Sequence, residues 1–434
     1  MFVLNREQRE ATVLLSIGTF LEYFDLMLYV HMAVLLNELF FPKTDPSTAS
    51  ILTASAFCST YILRPFGALI FGYLGDNIGR KSTVIITTML MSISCITMAN
   101  LPTYSQIGIT AAWVITICRM IQGMSSVGEV IGAEIYLTEI TEPPIQYPVV
   151  TLISVFSSLG AVVALSVAFF VTYLGFNWRI AFWIGAVIAI VGAVARTRLQ
   201  ETAIFTETKK EIKKTFEKDI IIGGEKLGNY SIYKEKVNKM LAVSLFLIDC
   251  TWPACFYFVY MYCGNILKNT FDFSAEQVIH QNFIVSIVHF LGFILLAFLS
   301  YKIYPLIIIK VRLLIFSAFI LICPYLLYNI KTSFDLLLIQ SFVVLFASYS
   351  QPALSIFLKY FPVFKRFTYA GFAYALARTF MYVSTPFGLV YLTKHFGHWG
   401  ILGILIPITI AYGLGISYFE KLEIESGNYH NKKR

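Results

Sequence analysis

The stretch "GTFLEYFDLMLYVHMA", residues 18–33, is apolar enough for a membrane core, yet it carries Glu22, Asp25 and His31. Glu22 and Asp25 are three residues apart and share one face of a helix. They sit roughly 16 to 21 Å from a helix start near residue 11, at about 1.5 Å per residue. Ionisable groups at such depth normally face a partner or a water-filled cavity. Burial raises the proton affinity of a carboxylate and a neighbouring arginine lowers it. Two chemistries are therefore open to Glu22 and Asp25: a proton carrier, or a static ion pair with Arg119 or Arg64. His31, two turns beyond Asp25, reads as a satisfied polar residue or a second titrating group near the helix end.

Other spans carry comparable signals. "RMIQGMSSVGEVIGAEIYLTE" (119–139) holds Arg119, Gln122, Glu129 and Glu134 on one apolar run, with Gly123, Gly128 and Gly132 forming a thin face for close helix packing. Asp249, Trp252 and Pro253 fall together, and Pro253 breaks a helix ladder locally; irregular backbone at membrane depth is tolerated where it lines a cavity. Arg378 supplies a late cation. Tyr23, Trp252 and Phe256 could enclose a quaternary ammonium by cation–π attraction. "GYLGDNIGRKS" (72–82) puts Gly72, Gly75, Asp76, Gly79, Arg80 and Lys81 on a short turn, where Asp76 can meet a helix N-terminus or a neighbouring arginine. This turn is a candidate gate latch. It is no phosphate loop, because Arg80 separates Gly79 from Lys81.

These residues need helices to hold them. The chain has 434 residues, is 57% hydrophobic and only 13% charged, about half the charge of a soluble domain, with a mean hydropathy of +0.72. Apolar runs of spanning length fall near 11–37, 50–74, 82–100, 106–136, 148–174, 178–195, 240–266, 280–300, 303–329, 333–357, 369–391 and 399–419. The predicted fold is all-α and integral to the membrane, with twelve transmembrane helices in two six-helix bundles: 1–195, a polar linker 196–239, 240–420, and a basic tail 421–434. The linker mixes Lys with Glu and reads as solvated chain or as amphipathic helix at the interface.

The net charge of +8 would suggest nucleic acid in a soluble protein, but its distribution matters more here. Arg6, Arg9, Arg80, Lys81, the 196–239 segment, Lys302, Lys310, Arg312, Lys359, Lys365, Arg366, Lys421 and Lys432 to Arg434 fall on one side of the alternating spans. Lys43, Arg179, Lys268, Lys331 and Lys394 fall on the other. The positive-inside rule then puts both termini in the cytoplasm. The N-terminus lacks a small-residue cleavage site, so the first span is expected to be retained. Seven cysteines lie within spans without a CxxC pair and read as packing residues. The six histidines are scattered, which argues against a membrane-embedded enzyme. No cofactor, metal or nucleic acid is implied, and a monomer is expected.

The stretches "EYFD" (22–25), "LRPFGALIFGYLGDNIGRK" (63–81), 119–139, "WRIAFWIG" (178–185), "RLQET" (198–202) and "YFPVFKRFTYAGFAYALA" (360–377) resemble the major facilitator superfamily. Within it they are similar to the metabolite:proton symporter branch, which includes proline/betaine, citrate, α-ketoglutarate and shikimate carriers. The turn after the eighth span, "LGFILLAFLSYKIYPLIIIKVRL", is an eroded counterpart of 66–84. Ser126-Val127-Gly128 stands where the branch usually has adjacent glycines.

The resemblance implies the major facilitator fold, with the first and fourth helices lining one cavity and the seventh beside the eleventh. It ties the Arg-x-x-x-Gly pattern, Arg119 and Gly123, to proton coupling, for which Asp25 or Glu22 is expected from its depth as the carrier. The polar and aromatic residues expected at the substrate are Tyr23, Arg64, Gln122, Asp249, Trp252 and Arg378, and the family's adjacent seventh and eleventh helices allow an Asp249 to Arg378 pair as structural bridge or substrate contact. The expected function is proton symport of a small polar metabolite or osmolyte, proline/betaine-like, across a bacterial inner membrane by alternating access. A di- or tricarboxylate is the alternative substrate, and a transporter-like sensor is the alternative of another class.

Overall fold

The computed structural model describes residues 4–42, 60–173, 175–211 and 236–429. Cys58, Lys43, the start of the second span, most of the linker and the last basic residues lie outside the described residues. Among the described residues, twelve long helical passages follow one another: α1 (Arg6–Phe40), α2 (Arg64–Asn77), α3 (Arg80–Asn100), α4 (Ile109–Ile140), α5 (Gln146–Tyr173) and α6 (Arg179–Arg196), then α7 (Lys239–Phe271), α8 (Ala275–Lys302), α9 (Pro305–Tyr328), α10 (Ser333–Phe346), α11 (Val363–Phe396) and α12 (Leu402–Glu425).

Their ends follow local chemistry. Capping boxes start α8 (Ser274 with Gln277) and α10 (Thr332 with Asp335), satisfying amides that the first turn leaves open. Pro305 stands in the first turn of α9, where its missing N–H costs nothing. Gly79, with φ +144°, turns the chain between α2 and α3; a Cβ there would collide with the Glu201 carboxylate.

Within the first half, α1 packs on α4, α5 and α6, and α3 on α4 and α6; within the second, α7 packs on α11 and α12, and α9 on α10 and α12. The halves meet along α5 with α8 and α2 with α11. The starts of α1, α3, α5, α7, α9 and α11 share one face, the latch face, and the other ends form the far face.

Two helices of the second half are not continuous. Helix α7 turns at Cys250, three residues before Pro253, and winds as π-helix over Tyr257–Tyr262. A proline at 253 cannot donate to the carbonyl four residues earlier. The tenth span, expected as one helix over 333–357, ends at Phe346. "ASYSQPA" (347–353) is irregular, and a short helix resumes at Leu354–Lys359. Pro352 and the polar Ser348, Ser350 and Gln351 remove the ladder and compete for it. The Ala347 amide still closes on Val343, and Arg312 of α9 donates to the Leu345 and Ala347 carbonyls at 3.0 and 2.6 Å.

Arg196, placed by sequence at the start of the linker, is the last residue of α6 and fully buried. Arg312 is likewise a core residue rather than a surface charge. The linker begins as packed chain, with Leu199, Thr202 and Phe205 buried.

Candidate functional site

Between the halves lies a narrow cavity of ≈ 50 Å³, smaller than an open small-molecule site. Helix α1 contributes Tyr23, α4 Glu134, α5 a serine row (Ser154, Ser157, Ser158), α7 Asp249 and Trp252, α8 His289, the break after α10 Tyr349 to Gln351, and α11 Tyr374 and Arg378. Trp252 stacks on Tyr349 (4.3 Å between ring centres) and lies 4.9 Å from the His289 ring. The Tyr349 hydroxyl pairs with His289 Nε2 at 2.5 Å. Arg378 lies over the Tyr374 ring at 4.4 Å and donates to the Tyr23 hydroxyl at 3.2 Å, while its Nε has no partner. Gln351 donates to Glu134 across the two halves at 3.0 Å.

Of the six residues expected at the substrate, Tyr23, Asp249, Trp252 and Arg378 line this cavity; Arg64 and Gln122 do not. Arg64 is drawn to Glu22 (3.1 Å) and lies against the Tyr61 ring. Gln122 donates to Asp25 at 3.0 Å and accepts from Arg119 at 2.9 Å, inside the first half. Arg119 forms the ion pair with Asp25 and lies 4.1 Å above the Tyr29 ring. Glu22 and Asp25 thus share a helix face yet answer to different arginines. The expected Asp249 to Arg378 pair is not formed: both face the cavity, but Arg378 turns to Tyr23. His31 has its Nε2 buried without a partner.

The glycine row of α4 makes close contacts: a Cβ on Gly123 would run into the Thr60 carbonyl and one on Gly128 into the Thr87 side chain, with Gly132 against Phe367 and Val84. Sequence reading gave no role to the pair Glu129–Arg196, which binds Thr87, Thr88 and the Leu14 and Leu15 carbonyls. A signal for it existed in Glu129, a lone acid in a glycine-rich run, but its partner looked like linker.

On the latch face the 72–81 turn closes on α11. Asp76 accepts from the Phe367 and Thr368 amides at 3.0 and 2.8 Å. Arg80 donates to the Val363 carbonyl (2.6 Å) and to Glu139 (3.1 Å), and Glu139 also binds Arg366 of α11 (2.9 Å) and Thr202. Gly72 and Gly75 let α2 lie against Thr368 and Phe367. Glu201 takes the Arg80 and Lys81 amides, and Phe205 lies beneath the Arg80 guanidinium. Among the described residues the Lys81 side chain forms no ion pair.

Two helical bundles that close on a polar cavity, joined at one face by bonds that separation of the bundles would break, have the construction of a secondary transporter. The model of the Major Facilitator Superfamily matches residues 15–389, and the chain belongs to that superfamily, whose members are transporters rather than enzymes. It is 29% identical over 276 residues to the proline/betaine transporter of Escherichia coli (strain K12), covering 62% of this chain and 55% of that one. It is 27% identical over 279 residues to a glycine betaine/proline/ectoine/pipecolic acid transporter of Dickeya dadantii (strain 3937), covering 62% and 54%. The chain thus spans about half the length of the curated relatives it matches. Among solved structures, a proton:xylose symporter bound to 6-bromo-6-deoxy-D-glucose superposes with a TM-score of 0.76 at 17% identity, over 96% of this chain and 95% of that one. That likeness is one of fold.

Proposed function

We propose that the protein is a secondary active transporter that moves a small zwitterionic osmolyte of the proline/betaine class with protons. It works as a monomer, by alternating access, in a bacterial inner membrane. The Lys/Arg distribution makes the latch face cytoplasmic, with both termini inside. The latch then holds the cytoplasmic gate shut, with Gly72, Gly75, Asp76, Gly79, Arg80 and Lys81 as its first component, while Gly123, Gly128 and Gly132 keep α4 close to its neighbours.

One observation carries the substrate class. Of the three membrane arginines that could receive an anion, Arg64 and Arg119 are already neutralised by Glu22 and Asp25. Only Arg378, among the described residues lining the cavity, offers a guanidinium, and Asp249 faces the same space. Arg378 and Asp249 suit a zwitterion, its carboxylate on Arg378 and its ammonium near Asp249 and the Trp252–Tyr349 stack, where cation–π attraction contributes about 1–2 kcal/mol, while the second carboxyl of the cavity, Glu134, is held by the Gln351 amide. A tricarboxylate would bring its charge to Asp249 with one counter-cation to meet it. Arg64 and Gln122 are assigned instead to the ionic scaffold that holds Glu22 and Asp25. Those two carboxylates with Arg119 remain able to carry protons only if their ion pairs open during the cycle.

Uptake of labelled glycine betaine and proline into proteoliposomes, with and without an inside-alkaline gradient, tests the reading. Accumulation above equilibrium only with the gradient, uninhibited by citrate, is expected. Competition by citrate would reverse the substrate class, and binding without counterflow would make the protein a sensor.

A further inference from the structure

Glu134 takes part in neither the ionic scaffold nor the proposed substrate contacts, and its surroundings set it apart. The buried carboxylates Glu22, Asp25, Asp76, Glu129 and Glu139 each have an arginine within ion-pair distance, whereas Glu423, near the end of α12 and away from the cavity, takes the Tyr304 and Tyr360 hydroxyls and Asp249 faces the cavity without an ion pair among the described residues. Glu134 is 5% exposed and, among the described residues, pairs with no cation. Its hydrogen-bond partner is the neutral amide of Gln351.

A buried carboxylate without a counter-charge is costly to keep ionised, and the group escapes that cost by holding its proton. Arg378 of α11 faces the same cavity but is engaged with Tyr23 of α1. Asp249 of α7 adds a second acid to that space, and Glu22 of α1 is held by Arg64. Helix α5 presents only serines to the cavity as polar groups; His289 of α8 is tied to Tyr349 within the break after α10, and Tyr374 completes the α11 wall. Glu139 lies below Glu134 on α4, with Arg80 and Arg366 already bound to it. Among the described residues, Glu134 has no arginine or lysine at ion-pair distance; Lys81 of α3 and Lys359 of the short helix after α10 are on elements packed against α4 but do not line its cavity, where Arg378 is the one arginine or lysine.

We propose that Glu134 is the group that carries the coupled proton. The inference rests on the symport reading and names its titrating site. With the latch shut, Glu134 is a neutral acid that accepts the Gln351 amide hydrogen at Oε1 and faces the cavity, from whose water it takes its proton. Gln351 belongs to the other half, so parting of the bundles at the latch face breaks this bond and admits cytoplasmic water. Glu134 lies six residues before the end of α4, about 9 Å from that face. There the carboxyl O–H bond breaks, the proton passes to water, and a hydrated carboxylate remains until the bundles close again.

The test compares gradient-driven accumulation with counterflow in proteoliposomes of the full chain and of E134Q and E134S. With one proton per substrate, the unaltered protein gains roughly tenfold in accumulation per pH unit. The variants are expected to fall to a ratio of about 1 while counterflow continues. Accumulation by E134Q equal to that of the unaltered protein overturns the assignment and leaves symport standing. A lack of gradient-driven accumulation by the unaltered protein itself overturns both. Should the variants lose counterflow as well, carbodiimide labelling of the unaltered chain decides, since the reagent attacks protonated carboxyls in apolar surroundings. Modification of Glu134 at neutral pH supports the proposal. An unmodified Glu134 beside a modified Asp25 or Glu22 refutes it.

Discussion

Within the N-terminal half, Arg64, Arg80, Arg119 and Arg196 each meet a carboxylate; in the C-terminal half, Arg312 meets two backbone carbonyls, Arg378 a phenol, and Arg366 reaches across to Glu139 of the first half. The difference follows from the helices. The helices described in the first half run unbroken, and there each of these guanidiniums has an acid; Arg196 adds the Leu14 and Leu15 carbonyls and Arg80 the Gly75 and Val363 carbonyls to its ion pair. In the second half, the break after α10 frees carbonyls, and these neutralise part of Arg312 without a second charge. One half is therefore an ionic scaffold, and the other builds its site from interrupted backbone and stacked rings.

The two halves should differ most when a buried arginine is removed from each. Arg119→Ala strands the Asp25 charge in the interior, an expected loss of about 3–5 kcal/mol. Arg312→Ala leaves only neutral acceptors, for about 1–3 kcal/mol. Chemical unfolding of both variants in detergent measures this. Equal losses would mean that Asp25 does not hold its charge in the folded protein, and the ionic scaffold would be no scaffold. Recovery in D25N/R119Q relative to R119A would sharpen the contrast.

Glycines give a second contrast of middle size. In the first half, Gly123→Ala drives a Cβ into the Thr60 carbonyl; in the second, Gly264→Ala meets nothing closer than 3.4 Å. Overpacking against backbone costs about 1–3 kcal/mol, whereas an alanine with room to fit gains up to about 1 kcal/mol in helix propensity. Melting temperatures should move in opposite directions. A loss at both positions would show that the second half is packed as tightly as the first.

The all-α membrane fold was legible because its determinants are local: apolar length, turn chemistry and the latch motif of Asp76 and Arg80 act within a few residues. Partner choice was not, because it depends on depth and rotation of helices far apart in the chain. Arg64 and Gln122 looked like substrate ligands because a polar side chain in a span implies a cavity or a partner, and sequence does not say which. Arg196 looked like linker because a charge at the end of an apolar run marks a boundary by composition. The break at 347–353 was hidden for the opposite reason: its flanks are apolar enough to read as one span, and Pro352 alone does not say on which side of it the ladder stops.

The smallest contrast lies across the cavity, between two phenols. Tyr23 of the first half receives the Arg378 guanidinium, while Tyr349 of the second is bonded to His289 and held by its own carbonyl, which accepts from Tyr412. Tyr23→Phe leaves Arg378, whose Nε is already unpartnered, with one bond fewer. A hydrogen bond to a charged group is worth about 1.5–3 kcal/mol, so substrate affinity should change by at least about tenfold. If Tyr23 instead competes with the substrate carboxylate for Arg378, the change is a gain; if it orients the guanidinium, a loss. Tyr349→Phe keeps the ring on Trp252 and removes one neutral bond of about 1 kcal/mol, a shift of roughly fivefold in affinity. Isothermal titration with glycine betaine reads both. A larger effect at Tyr349 than at Tyr23 would move substrate recognition from the arginine to the unwound segment, and would make the backbone break, rather than the guanidinium facing the cavity, the determinant of what the cavity accepts.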